Sequence, residues 1–173
     1  GALVPAVLTD PSPVPGALAD ARERGARHNG FNLVAGSADS AAWTSNRAER
    51  VVELAPGVHG LSNALLDAPW PKVVRTEAAV SAWLAAARDD PEPLFDALAD
   101  RATAPDAALP STGVPLEWER RLSAPFIVAE GYGTRSSTVV TIDRAGHVDF
   151  IERSFDTSGL RCGEVVHRFD VAG

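Results

Sequence analysis

Residues 57–72, GVHGLSNALLDAPWPK, separate two regions whose residue patterns differ. Before them stand three short runs typical of β-strands, with turn residues in between: FNLVAG (31–36), AAWTSN (41–46) and RVVELA (50–55). Over residues 69–88, in contrast, apolar residues recur at helical spacing. The stretch therefore marks a change from a predicted antiparallel meander to a predicted helix, and this change decides the fold class.

Helical patterns also flank this region on both sides. Two short helices are predicted before the meander, at 4–8 and 15–24, with Gly25 ending the second. A further helix is predicted at about 93–101. A long loop, rich in Pro and Ala, is predicted at about 102–121, and loops of that length often cover a site.

Four β-type runs close the chain. In the last run, Val165, His167, Phe169 and Val171 alternate with polar residues, which predicts a strand with one buried face. The run FIERSFD (150–156) mixes charges of both signs and is interpreted as a solvated strand face. Three strands, two helices and four strands predict an α+β fold with antiparallel sheets rather than a repeating βαβ fold.

Composition narrows the classes of partner. The 173 residues suit a single domain, residues 1–173, and the formal net charge of -7 argues against nucleic acid or an anionic membrane as partner. The longest apolar stretch, 82–87, is far too short to cross a bilayer, so we expect no membrane insertion. Cys162 is the single cysteine, which precludes an internal disulfide and favours a cytoplasmic setting. A small, weakly charged ligand is the partner that these features favour.

Asn63 is the first candidate for chemistry. A neutral carboxamide donates two N–H bonds without titrating, so it can stabilise an oxyanion during acyl transfer. The structural alternative is that Ser62 and Asn63 cap the helix starting near Pro69 or satisfy a turn. A second alternative is the G-x-S-x-G elbow of serine hydrolases, but Ala64 replaces its second glycine.

Arg135 is the second candidate, at the start of a β-type run in GYGTRSSTVV (131–140). A planar guanidinium at a strand end can orient a carboxylate or a catalytic group. The alternative is an ion pair with a surface acid such as Asp156. The four histidines are scattered without a ligand-like spacing, so we predict neither a metal site nor a cofactor.

Five stretches together resemble one protein family, the NRDE proteins, which are named for an Asn-Arg-Asp-Glu motif and include transport and Golgi organisation protein 2. The stretches are HNGFNLVAG (28–36), WTSNR (43–47), PGVHGLSNALLDAPWPKV (56–73), GYGTRSSTVVTID (131–143) and GHVDFIERSFD (146–156). The resemblance covers nearly the whole chain, and the helical middle is its least specific part.

This family is similar to the N-terminal nucleophile hydrolases, which cleave linear amides and have a four-layer αββα sandwich. The resemblance implies that a cysteine just after the initiator methionine attacks the amide carbonyl, with its own α-amino group as base. The chain departs from the family here, because it contains neither that cysteine nor the naming motif, and it contains no methionine. We therefore expect it to be the C-terminal portion of a longer protein and to be inactive alone.

The resemblance also assigns roles to individual residues. Asn63 would be the oxyanion-hole amide and Arg135 a late active-site arginine. In the same motifs, Asn46, Tyr132 and Trp70 are candidate substrate-binding residues. The expected function of the parent is hydrolysis of a small linear amide. The alternative is a protein that binds or transports haem or another apolar ligand without cleaving it.

Overall fold

The structure, a computed structural model, describes residues 2–37, 40–87 and 89–171. It contains both α-helices and antiparallel sheets, which confirms the predicted α+β class. The chain divides into two compact units, Gly1–Ala68 and Pro69–Gly173. Both the single domain and the αββα sandwich stay predictions.

Two helices begin the first unit, α1 (Leu3–Leu8) and α2 (Val14–Arg24). Pro15 lies in the first turn of α2, where its missing N–H breaks no helical hydrogen bond. The α-helix ends before Gly25, as predicted, although Gly25 keeps a right-handed φ of −65° and the chain continues as a 3₁₀ turn, Gly25–Arg27. The reason for a glycine is packing, since a side chain there would collide with the ring of Phe31.

The three predicted strands are confirmed as an antiparallel meander: β1 (Asn32–Gly36), β2 (Ala41–Ser45) and β3 (Val52–Glu53), in that spatial order. The central strand β2 is buried and packs against α2. Its Trp43, 3% exposed, lies between Val34 and Val52 in the register of the sheet. Buried residues of both elements, such as Leu18 and Trp43, place the core of the first unit between α2 and β2.

The second unit begins with α3 (Pro71–Ala85) and α4 (Glu92–Leu98). Helix α3 starts two residues later than predicted, because a residue that precedes proline disfavours helical backbone, and Trp70 is accordingly extended. It also ends earlier, since Ala87 has a left-handed φ of 47°. The predicted end, Arg88, lies outside the described residues.

The long loop predicted at about 102–121 is wrong in its last part, where helix α5 (Leu116–Leu122) forms. Acidic residues in its first turn and basic residues in its last turn suit the helix dipole. Glu119, 5% exposed, accepts hydrogen bonds from the N–H and hydroxyl of Thr112, which fixes α5 to the segment before it. Another short 3₁₀ turn occupies Asp106–Ala108.

The remaining strands of the second unit are antiparallel. The strands β4 (Val128–Ala129) and β5 (Tyr132–Gly133) form a small hairpin. A larger sheet has the order β6 (Ser136–Ile142), β7 (His147–Phe155) and β8 (Arg161–Asp170). Helix α4 contacts β6, and Phe95 and Val139 are buried at 3% and 7% exposure. These residues belong to the core of the second unit.

The predicted buried face of the last strand is wrong. Every residue of β8 is exposed, including Val165 at 48% and Phe169 at 55%. The strand lies at the edge of its sheet, and no described residue buries its apolar side chains. Alternation of apolar and polar residues therefore indicated the strand correctly but not its burial.

The solvated face predicted for 150–156 is also wrong at Arg153. Its side chain is 14% exposed, and its guanidinium lies 3.8 Å from the centre of the Phe95 ring. The same group pairs with Glu92 and, at 2.9 Å, with Glu164. Arg153 thus fastens α4 to the sheet, and its hydrogen bond holds the pKa of the Glu92 carboxyl below its usual range.

Replacing Arg153 by lysine should lower the free energy of unfolding by about 1 kcal/mol. An ammonium group keeps the charge but cannot stack its plane on Phe95 or bind two carboxylates in a fork. Thermal unfolding of Arg153→Lys and of the control Arg168→Lys, an exposed residue paired with Asp149, measures the difference. Equal midpoints for the two variants would contradict this role of Arg153.

Candidate functional site

The loop that carries Asn63 follows β3, and hydrogen bonds between the residues at its two ends close it. The main-chain N–H of Asp67 donates to the carbonyl of Gly60 at 2.8 Å, and the N–H of Gly60 donates to Asp67 Oδ1 at 2.9 Å. Asp67 has a left-handed φ of 55°, a backbone region that aspartate tolerates better than most residues. These bonds bring residues 60 and 67 together, and Asn63 stands in the loop between them.

His59 braces the same loop. Its Nδ1 lies 2.9 Å from Asp67 Oδ2, and its Nε2 lies 2.9 Å from the carbonyl oxygen of Ala55. Because both neighbours are acceptors, the doubly protonated imidazolium is the form that donates to both. The hydrogen bond from His59 lowers the pKa of the Asp67 carboxyl, slight burial opposes this, and the Gly60 N–H lowers it further.

The hydrogen bonds of Asp67 in this loop should therefore be lost in acid at a pH below the usual pKa of an aspartate carboxyl. Because the native pKa of Asp67 is lowered, its stabilisation is present above the unfolded value of about 3.9 and is lost as pH falls through the native pKa. The carboxyl ¹³C shift of Asp67 and amide exchange at Gly60, followed against pH, measure both events. A titration midpoint of Asp67 at or above the usual aspartate pKa would contradict the role of these hydrogen bonds. The substitution His59→Gln should raise that midpoint.

Asn32 on β1 holds the loop on both sides of Asn63. Its Nδ2 donates to the carbonyl of Ser62 at 3.3 Å and to that of Ala64 at 3.0 Å. Its Oδ1 accepts a hydrogen bond of 3.1 Å from the indole N–H of the buried Trp43. The backbone around Asn63 is thereby tied to the central strand of the meander.

A cleft of about 940 Å³ lies beside this loop in the first unit. Its lining includes polar and apolar residues from three segments, Gly30, Phe31, Asn32, Ser45, Arg47, Leu61, Ser62, Asn63, Ala64 and Leu65. The carboxamide of Asn63 makes no hydrogen bond with any residue that the structure describes, and the residue is exposed. Asn63 thus offers a free N–H donor on a loop whose backbone is fixed.

Two of the alternative roles of the loop residues, the helix cap and the hydrolase elbow, are not found in the structure. The cap of α3 is Trp70, and no side chain caps that helix, so capping by Ser62 or Asn63 is wrong. Ser62 lies in a hydrogen-bonded loop rather than in a strand-to-helix elbow. Asn63 as the chemical group of this loop therefore stays a prediction, as does a turn role for either residue.

Asn46 differs from Asn63 because its carboxamide is fully used. Its Oδ1 accepts from the N–H of Phe31 at 3.0 Å. Its Nδ2 lies within 3.2 Å of the main-chain oxygens of Gly25, His28 and Asn29. Asn46 therefore shapes the connection before β1, and substrate binding by this residue stays a prediction.

Arg135 lies in the second unit, where β6 begins. Its Nη1 donates to the main-chain oxygen of Asp156 at 2.6 Å, and its own carbonyl accepts from the N–H of Phe155 at 2.8 Å. The carboxylate of Asp156 instead accepts main-chain N–H bonds from Ser158 and Leu160, so the alternative of an ion pair between Arg135 and Asp156 is wrong. Arg135 is exposed and has further N–H groups with no partner among the described residues.

Tyr132 and Trp70 also belong to the second unit. Tyr132 is 48% exposed and meets the ring of Trp118 edge-on at 5.6 Å. The ammonium of Lys72 lies 5.8 Å from the centre of the Trp70 ring and donates to the carbonyl of Leu122, and burial lowers the pKa of Lys72. Both aromatic side chains remain candidates for substrate binding.

Sequence reasoning missed two residues of the cleft, Asn32 and Arg47. Both lie in the motifs HNGFNLVAG and WTSNR, and a polar Asn inside a β-type run was an available signal. Their neighbours, however, are about 15 to 30 residues away along the chain, beyond the reach of local patterns. Within the described ranges no group of three or more His, Cys, Asp or Glu side chains could hold a metal ion.

Comparison with known proteins adds an independent observation. The family model described as Transport and Golgi organisation 2 matches residues 1–157. A Transport and Golgi organization protein 2 homolog of Bos taurus is 36% identical over 89% of this chain and 61% of its own length. The Homo sapiens homolog is 35% identical over 73% and 51%, and the Mus musculus homolog 31% over 76% and 54%. The chain thus spans between 51% and 61% of the length of these relatives.

Proposed function

The chain belongs to the Transport and Golgi organisation 2 family, and on that premise we propose that it supplies the oxyanion-stabilising part of an enzyme that hydrolyses linear amides. The observation that carries the proposal is the free carboxamide of Asn63 in a cleft. Asn32 and Asp67 fix the loop on either side of it. A preorganised neutral donor is what a developing oxyanion requires.

In the proposed reaction, a cysteine thiolate outside this chain attacks the carbonyl carbon of the amide. The C=O π electrons move to oxygen, and Asn63 Nδ2 donates a hydrogen bond to the resulting anion. The C–N bond then breaks, and the amine leaves with the proton that the α-amino group of the cysteine took from the thiol, which yields a thioester. Water hydrolyses the thioester to a carboxylate and restores the thiol.

For Arg135, which lies in the second unit, the family resemblance implies an orienting role rather than bond-making. Arg135 already uses one N–H to hold the Asp156 carbonyl, so a second N–H remains to orient a carboxylate or the nucleophile. The exposed ring of Tyr132 offers an apolar surface with a hydroxyl donor at its end. These assignments follow from the family resemblance and from the exposure of the side chains.

The test uses the full-length protein and a panel of linear amides that differ in acyl chain and amine. We expect turnover of at least one member, and we expect its loss when the leading cysteine is replaced by alanine. A Ser62→Ala variant distinguishes the two candidate nucleophiles, the leading cysteine and Ser62. Turnover that depends on Ser62 would favour the serine alternative. Absence of any cysteine-dependent hydrolysis would contradict the proposal.

The binding alternative, haem or another apolar ligand, is less well supported by the geometry. Both ring nitrogens of His59 already face acceptors, Asp67 and the Ala55 carbonyl. Coordination of a haem iron by His59 would break the brace that holds the loop. A haem titration of the full-length protein that gave a saturable Soret shift, lost in His59→Gln, would favour this alternative instead.

A further inference from the structure

Arg47 lines the cleft of Asn63 without a carboxylate partner. It follows β2, and its guanidinium lies directly against the backbone of Gly30. Its side chain makes no hydrogen bond or ion pair with a described residue, whereas Arg120 is paired with Asp106. The residues that line the cleft include neither Asp nor Glu. In an acidic protein, this cleft therefore carries an uncompensated positive charge.

We propose that the cleft selects a linear amide that carries a carboxylate, an N-acyl amino acid. Arg47 would bind the carboxylate, Asn63 would face the amide carbonyl, and Leu61 and Leu65 would contact the acyl chain. The two leucines line the same cleft and are 39% and 46% exposed, so they leave apolar surface for a ligand to cover. The amide part rests on the proposed function, while anion binding by Arg47 stands on the cleft alone.

A carboxylate suits this cation better than a phosphate does. The planar guanidinium fork matches the two oxygens of a carboxylate and stays charged at every relevant pH. Phosphate sites in proteins use helix N-termini or several cations, and the cleft lining contains one cation and residues of strands and loops. The neighbouring groups are hydroxyls and amides, such as Ser45 and Asn32, which suit a single negative charge.

Gly30 provides a way to move the guanidinium without removing its charge. A methyl group at this position would collide with the guanidinium of Arg47, which is the mobile end of a flexible side chain. The backbone of Gly30 has no left-handed φ, so alanine fits it without strain. Gly30→Ala should therefore displace Arg47 and leave the fold intact.

The experiment is calorimetric titration of the full-length protein, with its leading cysteine replaced by alanine so that the ligand is not consumed. The probes are N-hexanoylglycine and its uncharged methylamide. We expect Arg47→Gln to weaken binding of the carboxylate about ten-fold, Gly30→Ala to weaken it in the same direction, and neither to change binding of the methylamide. Arg50→Gln is the matched control, since Arg50 is an exposed arginine on the same connection that does not line the cleft.

Three results would overturn the proposal: no binding of the carboxylate, equal binding of both probes, or equal loss in Arg47→Gln and Arg50→Gln. Inorganic phosphate that displaced N-hexanoylglycine at lower concentration than acetate does would also contradict it. Because binding is measured without turnover, its outcome is separate from that of the hydrolysis test. Hydrolysis of neutral amides with no dependence on Arg47 would leave the proposed function standing and remove this inference.

Discussion

Replacing Asn63 by alanine in the full-length protein should lower kcat for a linear amide by about 100-fold to 1,000-fold. In the proposed mechanism the free carboxamide would donate to the oxygen only after the carbonyl becomes tetrahedral, so its loss should fall on kcat and leave KM nearly unchanged. Steady-state kinetics with the best amide of the panel gives both constants. The fold should survive, since the Asn63 side chain is exposed and makes no bond with a described residue.

Asn29→Ala is the matched control for this substitution. Asn29 is another exposed asparagine in the first unit, its side chain does not line the cleft, and its main-chain oxygen keeps its contact with Asn46. We expect wild-type kinetics from this variant. Equal losses in Asn63→Ala and Asn29→Ala, or a change in KM alone, would contradict a role for Asn63 in the transition state.

Asn32→Asp should release the loop from β1 and lower turnover on the order of 100-fold, as a misplaced catalytic donor does. A carboxylate cannot donate, and it would face the carbonyl oxygens of Ser62 and Ala64, which lie 3.3 and 3.0 Å from Nδ2 in the native protein. The free energy of unfolding should fall by about 2 kcal/mol, because two hydrogen bonds are replaced by repulsion. Kinetics and chemical denaturation measure the two effects.

The charge change itself is controlled by Asn29→Asp, which introduces the same carboxylate at an exposed position three residues earlier. We expect this control to fold and turn over as the wild type does. Faster amide exchange at residues 62–64 in Asn32→Asp alone would support the positioning role. A variant with unchanged exchange and unchanged turnover would show that the Asn32 contacts do not position Asn63.

The fold class was predictable because local patterns dominate it. Residues 31–55 alternate strand-type runs with turn residues, and the meander β1–β2–β3 follows directly. Helix α3 was placed by its apolar spacing, but its start was set by Pro71, which restricts Trp70. Boundaries depend on such single-residue effects, which periodicity over a long window does not resolve.

Other features depended on contacts that no local pattern contains. The mixed charges of residues 150–156 indicate a solvated strand face. The guanidinium of Arg153, however, stacks on Phe95, 58 positions earlier in the chain. Alternation in β8 indicates a buried face, yet whether that face is covered depends on the rest of the fold. Helix α5 had charge signals at both ends, which the surrounding prolines and alanines obscured.

The residues of the candidate site also differ in whether the sequence could predict their roles. Asn63 could be proposed from its chemistry and from the family resemblance, which raised it above the structural alternatives of a cap or a turn. Asn46 resembles it in sequence, but its four contacts with main-chain groups are visible only in the folded chain. Asn32 and Arg47 enter the site through pairing of β1 and β2, which brings distant residues to one cleft.

The most direct test of the central claim uses an aldehyde analogue of the amide that the full-length protein cleaves. The leading cysteine would add to the aldehyde and form a tetrahedral adduct whose oxygen stands where the oxyanion develops. If Asn63 donates to that oxygen, Asn63→Ala should weaken aldehyde binding by about 100-fold and leave the affinity for the uncleaved amide within about three-fold. Equal changes in the affinities for aldehyde and amide, or no change in either, would contradict the role assigned to Asn63.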